Sequence, residues 1–232
     1  MDPRDIMKMR AAERAVEHVE SGFIIGLGSG TTAAHAIRLI GARLRSGELR
    51  DVFGVPTSLQ AAQEAISSGV PLTTLDEHPE IDVSIDGADQ IDRELRAIKG
   101  GGGALLREKV VASSSRLSII VADETKLAER LGGGCPVPVE VHPFAIRPVC
   151  MRLKEMGAEA RIRTGTGKLG PVVTDNGNLI VDADFGVLED PKKVEERLRA
   201  IPGVIEVGIF IDLIDLAYIG TREGVVRMDK AR

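Results

Sequence analysis

The sequence has 232 residues, with 30 Lys and Arg against 35 Asp and Glu, so the formal net charge is −5. Its 43% hydrophobic and 28% charged residues exclude a disordered or collagen-like chain, and the length suits one large domain or two small ones with a real core. The acidic balance and the 3% aromatic content, with Tyr218 the one Tyr and no Trp, argue against nucleic acid, which needs excess positive charge or stacking platforms.

Residues 4–19 read as an amphipathic helix, with Ile6, Met9, Val16 and Val19 near helical spacing. A buried strand follows at residues 23–27, then a Gly-rich turn and a helix over 32–45. Strands are predicted at 52–56, 70–75, 81–85 and 117–121, and helices at 58–68 and 104–113. Strands alternating with helices predict an α/β fold with a doubly wound, mostly parallel sheet of Rossmann-like type. The pattern changes near Gly132-Gly133-Gly134. Beyond it come a strand at 137–142, a helix at 145–156 and a strand at 158–163. A hairpin follows over 172–184, with Asn176-Gly177 as its two positive-φ residues, then a helix opened by Asp190-Pro191 and a strand at 204–210. This β-α-β-β-α-β order is ferredoxin-like. Two last strands, at 213–219 and 224–228, are assigned back to the large sheet. The expected division is therefore a catalytic domain of residues 1–130 plus 211–232 and a smaller ferredoxin-like α+β domain of residues 131–210.

Cys135 and Cys150 cannot make a disulfide framework and suit a reducing compartment. No apolar h-region follows Met1-Asp2-Pro3-Arg4-Asp5 and no stretch approaches 18 uncharged apolar residues, so neither a signal peptide nor a membrane span is expected, and the expected location is the cytoplasm.

Three loops carry the chemistry. Gly26-Leu27-Gly28-Ser29-Gly30-Thr31-Thr32 lies between a strand and a helix, where glycines let backbone amides approach an anion and the helix N-terminus favours negative charge. The plainer alternative is a tight turn with Thr caps. Gly28-x-Gly30-x-x-Ala33 also fits a loose dinucleotide fingerprint, but the second strand ends in Thr57-Ser58 without the ribose-binding acid, and no Walker lysine follows Thr32. A small phosphate or sugar hydroxyl suits the loop better than a nucleotide. In Asp86-Gly87-Ala88-Asp89, two carboxylates three residues apart can bind hydroxyls, move protons or hold a metal; an Asp-Gly turn with a capping Asp is the alternative. Lys99-Gly100-Gly101-Gly102-Gly103 is a candidate anion nest beside a point charge, with Glu108 one turn into the next helix; a flexible loop is the alternative.

Together these residues resemble the A-type ribose-5-phosphate isomerase family, with its G-x-G-[ST]-G-[ST]-T, D-G-A-D and K-G-G-G-x-A-L-x-R-E-K patterns in order. Asp86 and Lys99 lie 13 positions apart, and Lys99 and Glu108 lie 9 apart. Ala122-Asp123-Glu124-Thr125-Lys126, residues 136–141 and Thr174-Asp175-Asn176-Gly177-Asn178 match as well, so the resemblance spans nearly the whole chain. It implies interconversion of ribose 5-phosphate and ribulose 5-phosphate, a step of the pentose phosphate pathway, without a cofactor or a metal. By the resemblance Glu108 is the base that carries a proton between C1 and C2. Asp86 assists ring opening and hydroxyl proton movements, with Asp89 in the same pocket. Lys99 and the amides of Gly100, Gly101 and Gly102 stabilise the enediolate. Ser29, Gly30, Thr31 and Thr32, with Gly87 and Ala88, contact substrate, and Lys126 and Lys8 hold the phosphate. A homodimer or homotetramer is implied too. One departure is Gln90, where the family usually has Glu after D-G-A-D.

The chemistry agrees with that carry-over, because removing a proton beside a carbonyl makes an oxyanion and needs a positioned base and donors aimed at the charge. Burial raises the pKa of such a base and Lys99 lowers it; the sequence leaves the balance open. His18, His35, His78 and His142 are scattered without zinc spacing, and His35 reads as packing or surface. Two other readings compete with the isomerase: a non-catalytic sugar-phosphate sensor on the same fold, and a nucleotide-dependent enzyme using the Gly26–Thr32 loop.

Overall fold

A computed structural model describes residues 2–167 and 169–230. Helix α1 (Pro3–Val16) starts where the Asp2 carboxylate accepts the Arg4 amide and Pro3 supplies a ready-made first turn. It stops at Val16, short of the expected residue 19, because the chain turns toward Gly22, whose φ of 86° suits glycine. Strand β1 (Ile24–Leu27) leads into α2 (Gly30–Arg45), β2 (Phe53–Pro56) into α3 (Leu59–Ser68), and β3 (Ile81–Asp86) into two short strands, β4 (Gln90–Ile91) and β5 (Ala97–Ile98). Helix α4 (Leu105–Ser113) and β6 (Ser115–Asp123) follow.

The strand expected at 70–75 is not formed. Leu72 makes a single parallel bridge to Gly54, and Pro71, which has no N–H to donate, cannot continue the ladder.

Strand β7 (Val137–Val141), α5 (Ile146–Glu155), β8 (Glu159–Ile162), β9 (Leu179–Asp184), α6 (Pro191–Arg199) and β10 (Val204–Val207) build an antiparallel sheet in the order β10-β7-β9-β8. That is the ferredoxin-like order expected from the sequence. The strand expected over 204–210 divides at Gly208: β10 stays in this sheet while β11 (Ile209–Phe210) pairs with β5 in a third sheet, β11-β5-β4. Gly208 donates to the Pro138 carbonyl and accepts from the Lys99 amide, and a Cβ there would lie 2.2 Å from the Lys99 carbonyl oxygen. The hairpin expected over 172–184 reduces to one bridge, Val173 to Leu179, around a turn in which Gly177 alone has positive φ (81°). The Gly177 amide closes on Thr174 and the Thr174 amide on Asn178, so the loop has three residues and needs one left-handed position.

Strands β12 (Leu216–Gly220) and β13 (Val225–Asp229) complete the main sheet, β13-β12-β6-β3-β1-β2, parallel except for β12–β13. On one face Ile25, Leu27, Val83, Ile85, Ile119 and Val121 pack against apolar residues of α1, α2 and α3, including Ala11, Ala15, Ile37 and Ala61. On the other, Ile120, Ala122, Ala217 and Ile219 meet Ile91, Ala97, Phe210 and Ile214 of the small third sheet and its flank. The strand order reverses between β1 and β3, so the crevice at their carboxyl ends is the place where such sheets bind ligands.

Candidate active site

The loop after β1 and the end of β3 approach each other closely because residue 28 is glycine. A Cβ there would lie 2.2 Å from Asp86 Oδ1 and 2.5 Å from its Cα. The Asp86 carboxylate accepts from the amides of Ser29 (3.0 Å) and Gly87 (2.7 Å), stitching the two loops together. Ser29 occupies the cap position of α2 but does not cap it. Its hydroxyl is held instead by Thr57 (2.7 Å) and Ser58 (2.6 Å), which lie just past β2. Gln60 Oε1 accepts the Gly30 amide at 2.9 Å, and the rest of the first turn of α2 keeps its partial positive charge for the crevice. Lys8 of α1 donates to the Thr31 hydroxyl at 3.0 Å. Lys126, on the 3-10 turn after β6, lines the same cavity.

That cavity has a volume of about 160 Å³. Ser29, Gly30, Thr31 and Thr32 meet Lys8 and Lys126 in its wall, and Gly87, Ala88, Asp89, Lys99, Gly100, Gly101, Gly102 and Glu108 make the rest. Every expected site residue except Asp86 thus lines one space. Asp86 sits one layer deeper, behind Lys99.

The floor is a cluster of three nearly buried charges. Lys99, 3% exposed, places Nζ 3.1 Å from Asp86 Oδ2 and 3.6 Å from Glu108 Oε1, and donates to the Gly87 carbonyl. The other oxygen of Glu108 is buried without a hydrogen-bond partner among the described residues. Burial pushes the Glu108 carboxyl up to about 8; Lys99 opposes this, while Asp86 and Asp89 reinforce it. The balance left open by the sequence is therefore settled by burial. Burial also raises Asp86, against the pull of Lys99 and the amides of Gly87 and Ser29. For Lys99 burial works downward, but Asp86 and Glu108 outweigh it and hold the ammonium above its ordinary value.

The direction of Glu108 is fixed by its neighbours on α4. Arg107 donates to Asn176 Oδ1 (2.8 Å) and the Asp175 carbonyl (3.0 Å), and Lys109 donates to Glu195 (2.8 Å), Glu206 (2.9 Å) and the Val207 carbonyl (2.7 Å). With residues 107 and 109 tied to the antiparallel sheet and its turn, residue 108 faces the cavity.

The sequence reading missed several contributors. Phe210 is buried under both lysines, its ring centre 5.5 Å from Lys99 Nζ and 5.0 Å from Lys109 Nζ. Its only signal was an aromatic in a chain with few. Thr57 and Ser58 were noted for the acid they are not, whereas their hydroxyls steady Ser29. Gln90, the departure from the family pattern, binds the Gly132 amide at 2.7 Å and the Gly133 carbonyl at 3.2 Å. His35 bonds to Asp5 at 2.9 Å.

Comparison with known proteins bears on this geometry. The family model described as ribose 5-phosphate isomerase A (phosphoriboisomerase A) matches residues 53–224. The chain is 46% identical to ribose-5-phosphate isomerase A of Pyrococcus abyssi over 97% of this chain and 98% of that protein. It is 50% identical to the Methanothermobacter thermautotrophicus protein of the same name, over 94% and 96%. A solved D-ribose-5-phosphate isomerase in complex with phospho-erythronic acid superposes with a TM-score of 0.95 at 45% identity, covering 97% of this chain and 99% of that one. The ribose 5-phosphate isomerase of Plasmodium falciparum superposes at 0.93 with 39% identity, covering 98% and 100%.

Proposed function

The chain belongs to the ribose 5-phosphate isomerase A family and is an aldose–ketose isomerase that interconverts D-ribose 5-phosphate and D-ribulose 5-phosphate; from that premise we propose how its pocket carries the reaction. The phosphate lies against the first turn of α2, with Lys8 and Lys126 as its charged partners and the hydroxyls of Ser29, Thr31 and Thr32 as further donors. The open-chain sugar then runs toward Lys99 and the glycine nest. Glu108 removes the proton from C2 of the aldose and returns it to C1, while the O2 hydroxyl proton passes to O1, so that C2 becomes the carbonyl and C1 the hydroxymethyl carbon. Lys99 and the nest amides receive the negative charge that appears on the enediolate oxygens between those two steps. Asp89, which lines the cavity and accepts the Gly101 amide at 2.6 Å, faces the sugar hydroxyls and assists ring opening. Asp86 acts through Lys99, as its anchor, and through the amides of Ser29 and Gly87.

The observation that carries this reading is Glu108 itself. One carboxyl oxygen lies 3.6 Å from the Lys99 ammonium, the other is buried with no hydrogen-bond partner among the described residues, and the residue lines the cavity with its carboxyl raised to about 8. A base is most effective when its pKa lies near the working pH, and burial moves Glu108 there. The complex of a close relative with phospho-erythronic acid supports a phosphorylated sugar chain as the occupant. The proposal includes the domain division at residues 131 and 210, a homodimer or homotetramer read by light scattering, and a cytoplasmic location.

The test is Glu108→Gln in a coupled assay with ribose 5-phosphate and a chelator present. Removing the base should cost about 10²–10⁴ in kcat with little change in KM. Turnover by the variant near the parent rate would exclude Glu108 as the proton carrier.

A further inference from the structure

The antiparallel sheet reaches the active site through one guanidinium. Arg163 follows directly on β8 and pairs with Asp182 of β9, Nε donating to Oδ2 at 2.9 Å and Nη2 to Oδ1. Its remaining Nη1 donates to two successive carbonyls of the glycine nest, Gly100 (2.7 Å) and Gly101 (2.8 Å). Both partners are largely buried, with side chains 17% and 24% exposed.

The consequence follows from the geometry of a trans peptide, in which C=O and N–H point in opposite directions across the same plane. In the peptide joining Gly100 to Gly101, Arg163 holds the carbonyl and Asp89 holds the amide, so that plane is clamped at both ends. In the peptide joining Gly101 to Gly102, Arg163 holds the carbonyl, so the Gly102 N–H points away from Arg163. Gly102 lines the cavity, and its amide donates to no protein acceptor among the described residues, so it is left free for a ligand. A run of four glycines has many conformations in which that amide points elsewhere.

We propose that Arg163, fixed by Asp182, is a positioning residue that sets the Gly100–Gly102 peptides so that the Gly102 amide serves as an enediolate donor. This rests on the isomerase reading above. Arg163 acts through the nest and has no predicted contact with the phosphate end, so its effect belongs to the transition state more than to substrate binding. A lysine cannot reproduce the arrangement, because one ammonium cannot fork onto a carboxylate and span two carbonyls in a plane.

The experiment measures kcat and KM for Arg163→Ala, Arg163→Lys and Asp182→Asn with ribose 5-phosphate, with and without added guanidinium chloride at non-denaturing concentration. Phospho-erythronic acid is used as a competitive inhibitor, since its carboxylate presents two planar oxygens as an enediolate does. Arg163→Ala should lose about 10- to 100-fold in kcat with KM within about threefold, because misplaced donors cost transition-state stabilisation alone. Guanidinium should restore part of that loss, and inhibition by phospho-erythronic acid should weaken in parallel with kcat. Asp182→Asn should show the same pattern in smaller measure. Unchanged kcat in Arg163→Ala, or a rise in KM alone, overturns the proposal. Should Arg163→Ala fail to fold, Arg163→Lys decides: parental kcat overturns the proposal and a tenfold loss at constant KM supports it. Failure of the isomerase reading itself would appear separately, as no turnover of ribose 5-phosphate by the parent protein.

Discussion

Replacing Glu108 by Gln should make the protein more stable at alkaline pH while removing its activity, and the structure gives the size of the effect. In the unfolded chain the carboxyl titrates near its ordinary value of 4.5; in the fold burial raises it to about 8. Between those values the native state binds a proton that the unfolded state releases, so stability falls as pH rises and the full cost is present above about 8. Each pH unit is worth ~1.4 kcal/mol, which makes the ionised carboxyl cost on the order of 4–5 kcal/mol. Of this, about 3 kcal/mol develops between pH 5.5 and 8.5. That is a large share of the 5–15 kcal/mol by which proteins typically resist unfolding. Glutamine is nearly isosteric and does not titrate, so the difference between the two proteins isolates this one group. Urea unfolding followed by circular dichroism, at fixed protein concentration and at several pH values, measures it. The variant should gain on the parent steadily across the range. A difference that drifts by less than about 1 kcal/mol over those three pH units would mean that Glu108 is not held protonated by its surroundings.

The same group sets the pH dependence of catalysis: kcat/KM should rise about tenfold per pH unit below pH 8 and level off above it, and a flat profile from pH 6 to 9 would contradict the role of Glu108 as base. In Lys99→Met the ammonium that lowers the Glu108 pKa is gone, so the midpoint of that profile should move to higher pH and kcat should drop by about 10²–10³; a midpoint moving to lower pH would contradict the geometry. Gly28→Ala forces a Cβ to within 2.5 Å of the Asp86 backbone, and should lower unfolding free energy by about 1–3 kcal/mol together with activity, read by urea melts and by the coupled assay.

The parts of the fold that were legible are those where local sequence and tertiary context agree. Apolar strands such as Ile81–Asp86 and capped helices such as Pro191–Arg199 announce themselves by pattern and by Asp190-Pro191. The errors fell where a long-range contact decides. Val204–Val207 and Ile209–Phe210 form one apolar run in sequence, and only the approach of the Lys99 backbone at Gly208 divides them between two sheets. Residues 70–75 have strand composition, but Pro71 removes the donor that pairing needs. At the site, the loops carrying Ser29, Asp86, Lys99 and Glu108 were readable because glycines, carboxylates and lysines at strand ends have few structural uses. Arg163 was not readable: its task depends on two carbonyls more than 60 positions away, and nothing local distinguishes it from Arg161, whose partner is the exposed Glu159.

The charge count of the buried cluster explains why these features belong together. With Glu108 protonated, Lys99 and Asp86 form a neutral pair, and the core carries no net charge. Ionising Glu108 adds one negative charge to a site that Asp86 and Asp89 already make unfavourable to it. When the carboxylate then takes a proton from the sugar, that charge is not created anew; it moves from Glu108 to the enediolate oxygens, beside Lys99 and the nest amides. Burial alone would carry Glu108 above the value of about 8 that it reaches against the pull of Lys99, and Lys99 alone would lower it and leave it a weak base. Placing the ammonium 3.6 Å from the Glu108 carboxyl and 3.1 Å from Asp86 keeps it shared, and closer to Asp86 than to the working base. The ammonium is thus available to the substrate at the moment the charge leaves Glu108, which requires that Asp86 hold it in place from behind.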